Sequence, residues 1–259
     1  PNGSYTAQQA SSYDRRPTTL GAPFNYANSD TANFLGTTVI NGQTEYVMLN
    51  DTGPGTLTRW WMTGADNTTG ILNVYIDGQT TPVLSGTIQQ LISGSQSKFG
   101  SSLSYQTRPG AFSGSNLYAP IPYSQSILVT YRGTVNEQPG FNPPVYYNID
   151  YRKYQPPANV TSYTTSTPTQ YSQTITNTNA ALANPTVTGN VSNTQTLNNQ
   201  SLAAGQSISQ QLTGTGAIRR LNIKVTGADQ VAALRNTYVE LVFDGQRTTQ
   251  IPVGYFFGN

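Results

Sequence analysis

Alternating apolar and polar positions recur along the chain and predict β-strands. The run "ILNVYIDG" follows a period of two, as a strand with one buried face does. The runs "TLTRWWM", "SILVTYRG" and "VYYNIDYRKY" are also rich in strand-forming residues, and turn residues separate them. The alternation in "ILNVYIDG" places Leu72, Val74 and Ile76 on one side of the strand and Asn73, Tyr75 and Asp77 on the other.

Helices are predicted to be few and short. Prolines at positions 120, 122, 139, 143 and 144 rule out long helices between the strand-like runs. The best helix candidates are residues 87–94 and 227–236. The pattern therefore predicts an all-β protein, built as a sandwich, with one or two helical turns.

Charged residues are unusually scarce. They make up 9% of the 259 residues, against about 25% in ordinary soluble domains. The formal net charge is +2 and the cations are scattered, which argues against nucleic acid as a partner. No apolar run approaches the roughly 18 residues of a membrane span, so membrane insertion is not expected. The chain has no Cys and no His, and we expect no disulfide, metal or cofactor.

The sequence contains an internal repeat. The stretch from Gly53 to Val83 is similar to the stretch from Gly214 to Val253, and the motifs "GxG", "TGAD" and "DGQ" occur in both in the same order. Internal duplication of one β unit explains such a pattern better than chance. Gly-x-Gly before a strand permits a tight turn, and Asp-Gly after a strand is a hairpin signal. The repeat predicts two sandwiches in tandem, the second incomplete at Asn259.

An uncharged connector separates the two copies. No charged residue occurs from Tyr154 to Ile218, and the stretch to Gly205 is mostly Thr, Asn, Ser and Gln with little periodicity. It is either a flexible linker or an ordered segment lying on a neighbouring surface. The predicted domains are a first jelly roll with its N-terminal arm over 1–154, the connector over 155–205, and the start of a second jelly roll over 206–259.

Six motifs in order resemble glycoside hydrolase family 172. They are "SSYDR", "GPGTLTRWW", "YIDG", "PIPYSQS", "YYNIDYRKY" and "FDGQ…IPVGYFFG", and they run from about residue 10 to the end of the chain. The resemblance implies two jelly rolls in tandem, assembly into trimers and larger oligomers, and a scaffold similar to that of double-jelly-roll viral capsid proteins.

The resemblance also implies an activity, on fructofuranosyl or arabinofuranosyl linkages, through a carboxylate pair. In the family that pair lies C-terminal to the "FFG" segment. This chain has Tyr255 where the family commonly has Asp, and Arg16 follows "SSYDR" in place of a Gly- and Asn-containing loop. Its Glu residues are Glu45, Glu137 and Glu240. We therefore predict no catalytic residue in this chain and expect that it does not cleave such glycosides.

Four residues are the candidates for carbohydrate binding that the resemblance suggests. Asp14 and Arg15 either bind a sugar or form a structural ion pair. Trp60 and Trp61 are neighbours on a strand, so at most one of them lines a given pocket and the other belongs to the core or an interface. Asp77 and Asp244 are turn formers first, and Asp150 and Arg152 share one face of their strand.

Export from the cell is a further expectation, because the chain begins at Pro1, which suggests processing. Asn-x-Ser/Thr sequons fit a glycosylated surface, although a chain this rich in Asn, Ser and Thr also produces them by chance. The candidate glycosylation sites are Asn2, Asn67, Asn159, Asn190 and Asn199.

Two functions follow as hypotheses. The first is an extracellular self-assembling subunit, located at a cell or virion surface as a filament, sheath or capsid-like protein. Its partner is a second copy of itself, with carbohydrate as a further partner, and its 17 tyrosines suit broad subunit contacts. The alternative is a family 172 glycoside hydrolase recorded without its C-terminal catalytic part.

Overall fold

A computed structural model describes residues 4–16, 30–64, 70–94, 98–107, 113–135, 145–185 and 194–258. Its contacts divide the chain into two compact units, Pro1–Pro185 and Thr186–Asn259. The predicted domain boundaries after residues 154 and 205 stay predictions.

The first unit is a sandwich of two antiparallel sheets. A six-stranded sheet has the order β1-β11-β4-β8-β7, with β9 also paired to β4, and a five-stranded sheet has the order β2-β3-β10-β5-β6. The all-β sandwich prediction is confirmed. The strands are β1 Tyr5–Ser11, β2 Thr37–Ile40, β3 Gln43–Thr52, β4 Gly55–Thr63, β5 Ile71–Ile76, β6 Leu84–Thr87, β7 Ser104–Gln106, β8 Ser115–Leu117, β9 Ile121–Tyr123, β10 Ser126–Arg132 and β11 Tyr146–Tyr154.

The strand order of this unit is that of a jelly roll. Strands β1, β11, β4 and β9 are neighbours in one sheet, and β3, β10, β5 and β6 are neighbours in the other. Strands close in sequence, such as β3 and β4, therefore lie in opposite sheets, as the two Greek keys of a jelly roll require. A tandem second jelly roll stays a prediction.

The core fills the space between the inner faces of the two sheets. Leu57, Trp60 and Met62 of β4 are fully buried there. The predicted inner positions Leu72, Val74 and Ile76 of β5 belong to the same cluster. The hydrophobic alternation of the sequence thus places both strands correctly.

The outer face of the five-stranded sheet departs from the sequence expectation, because its polar residues are buried. Asn73 and Tyr75 are only 3% and 5% exposed. Both donate to the carboxylate of Glu45 on β3, Asn73 Nδ2 at 3.0 Å and Tyr75 Oη at 3.0 Å, and Thr130 Oγ1 donates to it as well. Burial, with the hydrogen bond to Glu45 adding to it, raises the pKa of Tyr75 to about 12. The buried side chains of Glu45, Asn73, Tyr75 and Thr130 therefore hydrogen-bond to one another.

Short helices complete the first unit, α1 Ile88–Leu91, α2 Thr167–Gln170 and α3 Ser172–Ala183. The first lies within the predicted 87–94 segment and begins with a capping box, in which Thr87 and Gln90 exchange hydrogen bonds. The third lies in the uncharged connector, where the sequence shows little periodicity. Ile175 packs against the core, and the Asn179 side chain donates to Phe99 O and accepts from Ser102 N. Residues 155–185 of the connector are therefore ordered.

Residues 194–258 of the second unit contain one antiparallel hairpin and two short helices. Helix α4 Gln230–Asn236 lies within the predicted 227–236 segment, and strands β12 Tyr238–Phe243 and β13 Gln246–Pro252 precede helix α5 Val253–Phe257. Residues 214–226, which correspond in sequence to β4, form no strand here. In the first unit β4 is a central strand with partners on both sides. In the described part of the second unit, residues 214–226 have no strand partner.

The turns of the two copies agree where the strands do not. Asp77 and Gly78 have φ of +55° and +74°, and Asp244 and Gly245 have +51° and +78°. Gly53 and Gly214 have φ of +96° and +98°. The predicted roles of the two aspartates as turn formers are confirmed, because both adopt the left-handed conformation that Asp and Gly tolerate. In the described residues no helix is long and apolar enough to cross a membrane.

Candidate functional site

The predicted pair of Asp14 and Arg15 does not form. The Asp14 side chain is fully buried and pairs with Arg16, Nη2 to Oδ2 at 2.7 Å. The Arg15 guanidinium instead donates to the backbone carbonyls of Ser11, Tyr13 and Asn33, and it lies 4.3 Å from the centroid of the Tyr13 ring. Both residues therefore stabilise the segment that follows β1. A sugar-binding role for either one stays a prediction.

Trp60 and Trp61 face opposite sides of β4, as the alternation of a strand requires. Trp60 is 0% exposed and packs in the core, so it cannot contact a ligand. Trp61 is half-buried on the outer face, opposite Asn148 of β11 and Asn116 of β8. Trp61 is therefore the tryptophan that the fold makes available.

A row of five polar and aromatic side chains crosses this outer face, each on or next to a different strand: Gln9 (β1), Asp150 (β11), Arg59 (β4), Tyr118 (next to β8) and Tyr105 (β7). We call it the outer-face row. Asp150 accepts from Gln9 Nε2 at 2.7 Å and from Arg59 Nη1 at 3.2 Å, and Arg59 Nε donates to Tyr118 Oη at 3.2 Å. Burial alone would lower the pKa of Arg59. The hydrogen bonds with Tyr118 and Asp150 outweigh this effect, so the pKa of Arg59 is raised.

Two tyrosines end the row on the β7 side. The rings of Tyr105 and Tyr118 are nearly parallel, at 15°, with centroids 6.2 Å apart. They are 36% and 41% exposed. Burial and the neighbouring Tyr118 raise the pKa of Tyr105, so the Tyr105 hydroxyl is neutral at physiological pH. The two stacked rings form an aromatic platform with polar edges.

An open groove of about 500 Å³ runs beside the other end of the row, between β1 and β11. Its walls include Ala7, Thr58 and Asp150. At the far end of the groove the Arg152 guanidinium lies over the Tyr5 ring, 4.5 Å from its centroid. Asp150 and Arg152 thus share a face, as predicted, but each has a different partner.

Protein donors hold the carboxylates in the described part of the first unit. Asp51, for example, accepts from Tyr123 Oη at 2.8 Å and from Lys153 Nζ at 3.0 Å, which joins β3 of one sheet to β9 and β11 of the other. Burial and the hydrogen bond to Asp51 raise the pKa of Tyr123, so its proton stays in place. The six described carboxylates with protein donors are Asp14, Asp30, Glu45, Asp51, Asp77 and Asp150.

Asp77 accepts four hydrogen bonds from the protein. Its oxygens accept from the backbone N–H of Gln125 at 2.7 Å and of Ser126 at 3.1 Å, and from the hydroxyls of Ser124 and Ser162. Burial alone would raise the pKa of Asp77. These hydrogen bonds outweigh this effect, so the pKa of Asp77 is lowered. The carboxylate connects the turn after β5 to the β9–β10 turn and to the connector.

We expect Asp77→Asn to lower the free energy of unfolding of the first unit by about 1–3 kcal/mol at neutral pH. Because the folded pKa lies below the ordinary value of 3.8, the contribution of Asp77 is complete above that pH and is lost as the pH falls through the folded pKa. The gap between wild type and variant should therefore close in acid. Chemical denaturation at several pH values measures it. Asp244→Asn, at the exposed equivalent turn, is the matched control. A gap that does not change with pH would contradict this explanation.

Sequence reasoning missed most of the outer-face row. Gln9, Arg59, Tyr105 and Tyr118 lie on or next to four different strands, and only strand register brings them together. The one available signal was the alternation that puts Asp150 on the face opposite the core.

The remaining predictions concern metals and glycosylation. Among the described residues no group of three or more potential ligands is placed to hold a metal. Asn159 and Asn199 are exposed, while Asn2, Asn67 and Asn190 lie outside the described residues. Glycosylation at any of them stays a prediction.

Comparison with known proteins assigns the family. A comparison with curated proteins finds no match. Among solved structures, the cleaved K3 adhesin domain of Lys-gingipain from Porphyromonas gingivalis W83 is matched at 12% identity and a TM-score of 0.24, over 57% of this chain and 74% of that one, which is too weak to carry an argument. The profile of the GH172 first beta-sandwich domain matches residues 3–171, which span the strands of the first unit. The chain therefore belongs to glycoside hydrolase family 172.

Proposed function

We propose that this protein acts in the turnover of fructofuranosyl or arabinofuranosyl glycosides, and that its first sandwich engages the carbohydrate without cleaving it. The observation that carries the proposal is the family match across the sandwich, in which all six described carboxylates are held by protein donors. Glycoside hydrolysis needs one carboxylic acid that gives up a proton and a second carboxylate that acts as nucleophile or base. Carboxylates that already accept hydrogen bonds from the protein are poorly suited to either task.

The test is to offer the full chain both kinds of furanoside. The two ligands are a fructo-oligosaccharide and an arabinofuranosyl oligosaccharide. We expect calorimetry to show binding of at least one of them. We expect no release of nitrophenol from 4-nitrophenyl arabinofuranoside and no shortening of either oligosaccharide in chromatography. A heat-denatured sample of the chain is the control.

Two results would contradict the proposal. Turnover that Glu45→Gln, Glu137→Gln or Glu240→Gln abolishes would place catalysis within this chain. Absence of binding to both furanosides would remove the assigned substrate class.

A second candidate function is the extracellular, self-assembling subunit. The observation that favours it is the hairpin of the second unit, whose Tyr238, Val242 and Phe243 are 59%, 54% and 47% exposed. A two-stranded hairpin is marginally stable alone, and exposed apolar surface of this kind is commonly covered by a partner. Light scattering at micromolar concentration tests it: a homo-oligomer supports assembly, and a monodisperse monomer argues against it.

A further inference from the structure

We propose that the outer-face row is the binding surface for a neutral oligosaccharide, which lies across the strands from Gln9 to Tyr105. The choice of a saccharide rests on the function proposed above. The location rests on the geometry of the six-stranded sheet.

The size of the surface fits a chain of sugars rather than a single ring. The row crosses β1, β11, β4, β8 and β7, which are successive neighbours in the sheet. At about 4.8 Å per strand, four steps give a length of about 19 Å. The side chains of Gln9, Tyr105 and Tyr118 are exposed along this direction, and the groove between β1 and β11 extends the surface.

The polar half of the row is already oriented for hydroxyl groups. Gln9, Asp150 and Arg59 fix one another's planar groups through the hydrogen bonds at 2.7 and 3.2 Å. A guanidinium has five N–H donors and a carboxylate has about four acceptor sites, so both retain capacity for a ligand. Sugar hydroxyls donate and accept at once, which matches donors and acceptors set side by side. Because Arg59 and Asp150 cancel each other's charge, the matching ligand is neutral.

The aromatic half supplies an apolar contact. The near-parallel rings of Tyr105 and Tyr118 are both exposed by more than a third, and their edges carry hydroxyls. Aromatic rings of this kind combine rigid apolar area with a polar group that reaches a partner. The C–H face of a sugar ring meets the first requirement and its hydroxyls meet the second. Trp61 and Asn116 lie beside the platform on the same face.

The outer face of the other sheet provides an internal contrast. There Glu45, Asn73 and Tyr75 are buried and hydrogen-bond to one another, so they offer nothing to a ligand. The row carries comparable residue types on the opposite side of the sandwich, but with Gln9, Tyr105 and Tyr118 exposed. The difference in exposure, rather than residue type, points to the six-stranded sheet.

Calorimetric titration of the full chain tests the surface, with an arabinofuranosyl oligosaccharide, a fructo-oligosaccharide and a linear glucan oligosaccharide as probes. We expect Tyr118→Ala and Arg59→Ala each to weaken binding about tenfold, and Tyr118→Phe, which keeps the ring, to weaken it less. Val39→Ser, at a position 68% exposed on the other sheet, is the control and should bind as the wild type does. Tryptophan fluorescence verifies that each variant is folded.

The outcomes separate this inference from the function proposed above. Unchanged furanoside binding by both folded variants would overturn the surface and leave the proposed function standing. Binding of the glucan alone, lost in the variants, would support the surface and contradict the furanoside assignment. Binding of none of the three oligosaccharides would overturn the inference.

Discussion

Replacing Trp60 with alanine should destabilise the first sandwich by about 3–5 kcal/mol. Trp60 is 0% exposed and touches the core formed by both sheets, so its removal leaves a cavity that rigid strands cannot close. Trp61→Ala, one residue along the same strand, should cost no more than about 1 kcal/mol because its side chain lies on the outer face.

The two tryptophans make this comparison clean to measure. Both lie in the first unit and are the chain's only tryptophans, so in each variant the remaining indole reports the unfolding of that unit alone. Denaturation followed by fluorescence gives the two free energies. Equal losses for Trp60→Ala and Trp61→Ala would contradict the assignment of one to the core and the other to the outer face.

Replacing Gly55 with alanine should also have a large effect, about 1–3 kcal/mol or more. A Cβ at this position would lie 2.2 Å from Tyr123 Oη and 2.7 Å from the Arg152 carbonyl oxygen. The backbone cannot move away easily, and Tyr123 is fixed by its hydrogen bond to Asp51. Overpacking at the point where β4 meets β9 and β11 is the expected consequence.

The repeat supplies the matched control. Gly216 corresponds to Gly55 in sequence, but a Cβ there would meet nothing within 4 Å. Gly216→Ala should leave the unfolding of its own unit unchanged within about 0.5 kcal/mol, as circular dichroism can follow. A wild-type transition for Gly55→Ala would show that the close approach to Tyr123 is not needed.

Local pattern predicted the parts of the fold that depend on nearby residues. The alternation in β5, the opposite orientations of Trp60 and Trp61, and the Asp-Gly turns at Asp77 and Asp244 each follow from a few adjacent positions. Helix α3 was missed because its Thr- and Asn-rich sequence has no apolar stripe, and it docks mainly through Ile175 and Asn179.

Contacts between distant residues could not be predicted in this way. Glu45 meets Thr130 across 85 positions, and Arg59 meets Asp150 across 91, through sheet register that one sequence does not reveal. The partner of Asp14 was assigned incorrectly for a local reason. The chain after β1 turns Arg16 back toward the buried carboxylate and directs Arg15 to backbone carbonyls.

The central claim is that carbohydrate binds on the outer face of the six-stranded sheet, and the two indole N–H signals in a nitrogen-15 NMR titration test it most directly. The Trp61 indole nitrogen lies on that face, close to Gly114, while Trp60 is enclosed in the core. Trp60→Phe assigns the two signals. We predict that a furanosyl oligosaccharide shifts the Trp61 signal in a saturable way and leaves the Trp60 signal in place. Saturable binding that moves neither indole signal would contradict the claim.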